Sequence, residues 1–456
     1  MLASVGTSRT GSADVREAEA RTPGRVCANP GRRGPVMHPM VKPALRRGWR
    51  DLGTVQFGMT PAHAITVGPV DLATGSLLEL LDGTRDVALL REEARRMDLP
   101  DGHADRLVSR LGRAGLLDDT RACSPAATAL RERGEALERL RPDLASLSLT
   151  TAEPGGALTR LAARRALRVR VLGAGRVGSV IAALLSGAGV GEVDVRDVGR
   201  VQPWDVAPGG LPAEAVGERR DEAARTAVRR AAPDRPPRRT RQGRLSGRGP
   251  EEEPGLSLVV LAPRDEVAVH APDPFLAESL MVSGTPHLYA GVAEGTGVVG
   301  PLVLPGLTGC AGCLQQHRTD EDAAWPRLIT QWRSGRARRV GACDLTLATA
   351  VAGLAAAHAL SFLDGAEPAA TGTRWEAALP TLTWDAHPVA PHPVCGCGAK
   401  DRRRGSTPAR AGVKAEGEHS STRGPTRATM AVQRPSAERR RETGAARPTG
   451  TWRAHV

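Results

Sequence analysis

Residues 167–200 read LRVRVLGAGRVGSVIAALLSGAGVGEVDVRDVGR, and this stretch decides the fold. The run at 169–172 alternates apolar residues with arginine and stops at Gly173, Gly175 and Gly178, after which small and apolar residues recur at helical spacing as far as Leu185. The pattern predicts a strand, a glycine turn and a helix. A second strand at 192–196 ends on Asp197, about 19 residues past the last glycine, where a carboxylate can accept from a ribose hydroxyl. Gly173 suits the tight turn, Gly175 the approach of backbone to phosphate, and Gly178 close helix-on-strand packing, while the helix N-terminus supplies positive partial charge. A nucleotide pocket in a doubly wound, mostly parallel α/β sheet is the expectation. The other reading of the same residues is a doubly wound domain without its ligand.

The 456-residue chain has room for two or three domains, and with aromatic residues at 2% its core must be filled by Leu, Val and Ala. A net charge of +13 invites a nucleic-acid reading, but +3 of it sits on residues 1–36 and +9 on residues 400–456, leaving +1 elsewhere. Both ends are rich in Gly, Pro, Ser, Thr, Ala and Arg without apolar periodicity, so 1–40 and 399–456 are expected to be disordered. Nucleic acid is expected at most as a nonspecific contact of the basic tail. No apolar run is read as approaching the roughly 18 residues of a membrane span, and the N-terminus lacks an apolar signal core, so a cytoplasmic protein with no membrane partner is expected. Residues before Met37 are so unlike a domain that Met37 or Met40 is the expected start.

Residues 41–120 have their own logic. Short β-like runs at 54–57 and 64–67 precede helical patterns at 76–81, 86–97 and 102–117, a winged-helix-like order. Arg91, Arg95, Arg96, Arg106, Arg110 and Arg113 are balanced by seven acids, so peptide or protein docking suits the unit at least as well as DNA. Residues 121–166 read as a helical connector with its longest helix at 126–140. The domain at 167–398 continues with a helix at 211–232, an Arg/Gly/Pro-rich loop at 233–254, strands at 256–262 and 287–291, a helix at about 272–283, and a β-run at 296–304.

Two cysteine pairs follow. Cys310 and Cys313 form a knuckle whose spacing lets both sulfurs reach one tetrahedral ion, and Cys395 and Cys397 complete a four-thiolate set some 80 residues later. Structural Zn is the reading. Two unrelated reduced pairs, or His387 or His392 in place of one sulfur, are the alternatives. Cys343 precedes a helix at 345–363 with Asp344 as its N-cap, which fits either a nucleophile or a merely buried thiol. Cys27 and Cys123 have no supporting context.

Over about residues 160–398, the glycine turn, the acid ending the next strand, the stretch GVVGPLVLPGLTGCAGC, an alanine-rich helix and a final cysteine pair together resemble the ThiF/MoeB/HesA proteins, bacterial relatives of ubiquitin-activating enzymes. The resemblance implies adenylation of the C-terminal carboxylate of a small ubiquitin-like carrier or peptide with ATP and Mg, by a homodimer built around structural Zn. It implies that Gly173, Gly175 and Gly178 cradle phosphates, that Asp197 holds the ribose, and that Asp265, just past an apolar strand, binds magnesium. The family pattern D-x-D-x-V-x-x-x-N-L-x-R meets DVGRVQPWDVAPG here: Gly199 stands for the second acid, Asp205 for the asparagine and Pro208 for the arginine. Arg220 falls where the family lysine belongs, which marks it as the candidate catalytic cation, with Arg160, Arg164 or an arginine of 233–254 as substitutes for the missing arginine. The unit at 41–120 is similar, more loosely, to peptide-clamp domains fused to such proteins in azole-forming peptide biosynthesis. Residues 314–340 contain no cysteine, so covalent transfer to the enzyme is not expected. An adenylyltransferase is thus the first reading. A catalytically degenerate scaffold presenting a precursor or leader peptide is the second, and an NAD-dependent dehydrogenase, which leaves the cysteine pairs unexplained, is the third.

Overall fold

The chain begins with β1 (Pro39–Val41), β2 (Arg47–Asp51), β3 (Thr54–Phe57), β4 (Ile65–Val67), α1 (Leu72–Glu79), α2 (Val87–Arg96), α3 (His103–Arg113) and β5 (Leu117–Asp119). These belong to a computed structural model that describes residues 36–119, 121, 124–234, 255–335, 340–399 and 432–433. Cys27, Cys123, the extension before 36, most of the 233–254 loop and the tail beyond 399 apart from 432–433 lie outside the described residues. Asp71 and Asp86 cap α1 and α2 by accepting from Thr74 N and Leu89 N. Val55, Phe57, Leu77, Leu107 and Leu111 close a core beneath the β2–β3–β4 sheet, while β1 pairs with β5. Strand β2 gives no sequence signal because all its residues, RGWRD, are exposed and nothing alternates.

Next come α4 (Pro125–Arg131), α5 (Gly134–Arg139), α6 (Arg141–Thr150) and α7 (Gly156–Ala163). The single helix expected over 126–140 is broken at Arg133, whose φ of −96° and ψ of 62° leave helical space.

The large sheet and its helices follow: β6 (Arg168–Leu172), α8 (Arg176–Gly187), β7 (Glu192–Arg196), α9 (Arg220–Ala231), β8 (Leu258–Leu261), α10 (Glu266–His270), α11 (Glu278–Val282), β9 (His287–Ala293), β10 (Thr296–Val303), α12 (Ala311–Glu321), α13 (Trp325–Ser334), α14 (Leu345–Leu363), β11 (Thr373–Ala378) and β12 (Asp385–Pro388). The helix expected over 211–232 begins only at Arg220, because Pro212 and the left-handed Gly217 (φ 91°) hold the preceding chain in turns. A final two-residue strand, β13 (Val432–Gln433), pairs antiparallel with β4, so these two residues depart from the disorder expected of the tail.

The seven strands lie in the order β12-β11-β10-β9-β8-β6-β7. Strands β7, β6, β8 and β9 are mutually parallel and β10, β11 and β12 are added antiparallel, so five of the seven point the same way. Register explains why β6 carries arginines. Val169 and Val171 face the core, while Arg168 and Arg170 stand opposite Glu192 and Asp194 of β7 and pair with them at 3.0 Å each. Central strands β8 and β9 are buried along their whole length, as two covered faces require. Leu258, Val260, Leu288 and Ala290 pack with α8, α9 and α14, whereas the alternate residues Val259, Leu261 and Tyr289 pack with Cys310, Ala311 and Cys313 on the other face. The sheet is therefore covered on both sides, as the sequence pattern predicts.

Helix α14 corrects one expectation. At 19 residues with a mean hydropathy of 1.6 it is long and apolar enough to cross a bilayer by length and composition. Here it is a core helix, seating Leu347, Val351, Ala355 and Ala359 against the sheet.

Candidate active site above the glycine turn

The turn after β6 is built by close contacts that exclude side chains. Gly173 has a φ of 110°, and a Cβ placed there would lie 1.9 Å from the carbonyl oxygen of Ala262 at the end of β8. A Cβ on Gly178 would lie 2.1 Å from the oxygen of Gly173, so the first turn of α8 rests directly on the loop. Gly175 caps α8 without a side-chain hydrogen bond, and first-turn amides have no intrahelical acceptor. The loop is thus shaped to offer backbone N–H groups to an anion.

A network of four charged side chains braces this turn. Asp197 Oδ2 accepts from Ala174 N at 2.7 Å, and its Oδ1 accepts from Val198 N at 2.6 Å and from Arg220 Nη1 at 3.1 Å. Asp205, 2% exposed, takes Gln202 N and Arg220 Nε on Oδ2 at 2.9 and 3.2 Å, and Arg264 Nε and Nη2 on Oδ1 at 3.0 and 2.7 Å. Arg220, 5% exposed, also donates to the carbonyls of Val198 and Arg200. Its donors are spent inside the fold. The sequence reading made Arg220 the catalytic cation, but the structure holds it in the wall of the site as a brace between Asp197 and Asp205. Asp197 likewise stands behind the turn, tying it to β7.

The cavity in front of this network has a volume of about 920 Å³, within the range of small-molecule sites. Gly175, Gly178, Asp205 and Asp265 all line it. Asp265 caps α10, accepting from Val267 N at 3.2 Å with Oδ1. Three arginines line it too, and none was singled out by the sequence: Arg176, Arg264 and Arg374. Arg176 Nη1 donates to Cys343 O at 2.9 Å, while its buried Nε has no partner. Arg264 sends its stem across Gly175, where a Cβ would meet its Cγ at 2.8 Å. Arg164, a proposed substitute for the family arginine, is committed to a buried pair with Asp364 at 2.6 Å, and Arg160 does not line the cavity. Only Arg176 carried a signal in sequence, as the first residue after the second glycine; Arg264 and Arg374 arrive from strand ends brought near by the sheet order.

Glu266 fixes the rim by accepting from Ala342 N at 2.7 Å and Glu294 N at 3.2 Å. Cys343 also lines the cavity, but burial raises its thiol above the usual range, which argues against a resting thiolate nucleophile. Burial likewise drives His270 down to about 4, helped by the charges of Arg318 and Arg374, so its ring is neutral at pH 7.

On the face of the sheet away from α8, α9 and α14, the sulfurs of Cys310, Cys313, Cys395 and Cys397 lie within 4.8 Å of one another. Neighbouring pairs stand 3.8, 3.6 and 3.5 Å apart, close to the roughly 3.8 Å that four 2.3 Å bonds in a tetrahedron require. The ring of His392 is occupied by Asp320 at 2.9 Å and its backbone N–H donates to Cys313 Sγ at 3.3 Å, so it supports the cluster from outside. An all-sulfur tetrahedral set fits zinc.

The ThiF family model matches residues 152–399. Among solved structures, E. coli MccB with succinimide is similar at a TM-score of 0.56 with 15% identity, covering 79% of this chain and 99% of MccB. E. coli MccB with ATP is similar at 0.55 with 15% identity, covering 80% and 100%, and selenomethionine PaaA at 0.54 with 16% identity, covering 76% and 99%. No curated protein matches the chain. At these identities the structural likeness speaks for the fold.

Proposed function

This chain belongs to the ThiF family, and from that premise we propose that it is an ATP-dependent adenylyltransferase activating the C-terminal carboxylate of a peptide or small ubiquitin-like carrier. The observation that carries the reading is the buried, unpartnered Nε of Arg176 beside an uncapped helix N-terminus and the Asp265 carboxylate, all lining one cavity. Such a site is made for a polyphosphate: donors and a cation at the turn, a carboxylate for the magnesium that travels with ATP.

The phosphates rest on the first-turn amides of α8, with Arg176 beside them. Arg264, released from part of its hold on Asp205, supplies the second charge from above Gly175. Asp197 and Asp205 hold the turn, Asp197 from behind it. Asp265 would hold the magnesium that travels with ATP, and the ion would supply charge neutralisation for the leaving pyrophosphate. A carboxylate oxygen of the acyl substrate then bonds to the α-phosphorus as the α-phosphorus bond to pyrophosphate breaks, giving an acyl adenylate without net proton transfer. Catalysis is positioning and charge neutralisation. Zinc at the four cysteines has a structural part, fastening residues 395–397 to the sheet domain. Solved structures of the similar E. coli MccB hold ATP, or AMPCPP together with MccA, which supports ATP and a separate acyl substrate here. A homodimer and a peptide-gripping role for residues 41–120 belong to the same reading.

Exchange of labelled pyrophosphate into ATP by the full chain, stimulated by a cognate peptide, tests it. The scaffold reading draws on the stem of Arg264 lying over Gly175, and it predicts peptide binding with no exchange.

A further inference from the structure

Arg374 on β11 is 1% exposed and lines the same cavity far from the glycine turn. Its Nε donates to Glu376 Oε1 and its Nη1 to the carbonyl of Val269 at 3.2 Å, while Nη2 has no hydrogen-bond partner. An unmet guanidinium N–H in so buried a place is costly unless a ligand supplies the acceptor. Nearby, Arg318 donates to the carbonyl of His270 at 2.8 Å and lies 4.7 Å over Trp325, while the ring of His270 stands edge-on to Trp325 and Trp332 at 5.7 and 6.2 Å. Glu376 lies close to both guanidinium groups and Glu321 also acts on Arg318, so the need for an anion here comes from the unmet Nη2 of Arg374 rather than from a surplus of positive charge.

Its distance from the turn narrows what that anion is. Strands β8, β9 and β10 separate β6 from β11, four strand spacings of about 4.8 Å or roughly 19 Å in all. After the reach of the Arg374 side chain, the remaining gap is a few residues of extended chain at about 3.4 Å each.

We propose that this end of the cavity is a subsite for the acyl substrate, in which Arg374 Nη2 receives an acidic side chain two to four residues before the substrate's C-terminal carboxylate. The proposal rests on the adenylation reading and gives its substrate a chemical class: a peptide with an acidic residue just short of its end.

The test uses the full chain, AMPCPP with magnesium, and fluorescent synthetic hexapeptides of Ala, Gly and Ser in which one Asp is stepped through the last five positions, each with an Asn counterpart. Anisotropy should show an Asp two to four residues from the end binding about tenfold or more tighter than the neutral peptide and than Asn at the same place. That preference should vanish in Arg374→Gln. Because Arg374→Gln removes two internal hydrogen bonds and can unfold, Glu376→Gln is the second variant, and its loss of competing charge should widen the Asp preference. Equal binding of Asp, Asn and neutral peptides, no dependence on position, or a preference unchanged in both variants overturns the subsite. Pyrophosphate exchange separates the two claims. Acid-selective binding with no exchange sinks adenylation and keeps the subsite, whereas exchange equal for acidic and neutral peptides sinks the subsite and keeps adenylation.

Discussion

Arg264 lies across Gly175, so that a Cβ on the glycine would meet Arg264 Cγ at 2.8 Å while the guanidinium stays anchored to Asp205 Oδ1 at 2.7 Å. Arg264, with one-third of its side chain exposed, is therefore poised directly over the position where phosphate is expected. Gly175→Ala displaces a flexible stem rather than backbone, so stability should fall by no more than about 1 kcal/mol while ATP affinity falls on the order of tenfold. Gly173→Ala, with a φ of 110° and a carbonyl 1.9 Å away, should instead lose several kcal/mol of stability. Urea melts paired with nucleotide titration distinguish the two.

Asp205 is the common partner of Arg220 and Arg264. Asp205→Ala strands Arg220, 5% exposed, with Asp197 as its one remaining carboxylate, and should cost about 3 kcal/mol in urea unfolding. Arg264→Ala, whose side chain is one-third exposed, should leave stability within about 1 kcal/mol of the parent and lower ATP affinity.

Asp265→Ala should abolish pyrophosphate exchange, by at least about a hundredfold, and cost about 1 kcal/mol of stability through the lost cap of α10. Loss of exchange together with loss of the folded state at room temperature would contradict the assigned role.

The glycine turn, β7 and α14 were legible because each is local: three glycines at fixed spacing, an alternating run of five residues, and a 19-residue apolar helix opened by Asp344. The cysteine set was legible across 80 residues because thiolate spacing is a chemical signature independent of fold. Arg264 and Arg374 were not, since no pattern around them differs from that of any surface arginine; only the sheet order carries them to the cavity. Arg220 shows the converse limit. Its position in the chain matched a family cation, while burial and four acceptors turned it into a brace. Strand β2 and the break at Arg133 were hidden because exposed strands lack alternation and a helix interruption of two residues leaves periodicity nearly intact.

His270 makes stability depend on pH. Burial puts its folded value at about 4, below the ordinary 6.5, so between these values the unfolded chain binds the proton. Stability from this group is whole above pH 6.5 and declines as pH falls toward 4. After allowing for partial solvent screening the decline is on the order of 1 kcal/mol, and it should be absent in His270→Phe. Denaturant midpoints at pH 7 and 4.5 for both proteins check the sign.

Zinc should be present at one equivalent per chain in protein purified without chelator. Stripping it, or Cys395→Ser, should lower Tm by ~10 °C, corresponding to a loss of several kcal/mol. Metal content well below half an equivalent would speak against the four-sulfur site.

The central claim is that the cavity above Gly175 binds ATP. Isothermal titration of the full chain with MgATP tests it most directly: one nucleotide should bind per chain with a Kd in the ~1 μM to 1 mM range, displaced by AMPCPP and not by NAD. Titration that shows no ATP binding, or NAD binding in its place, contradicts the account.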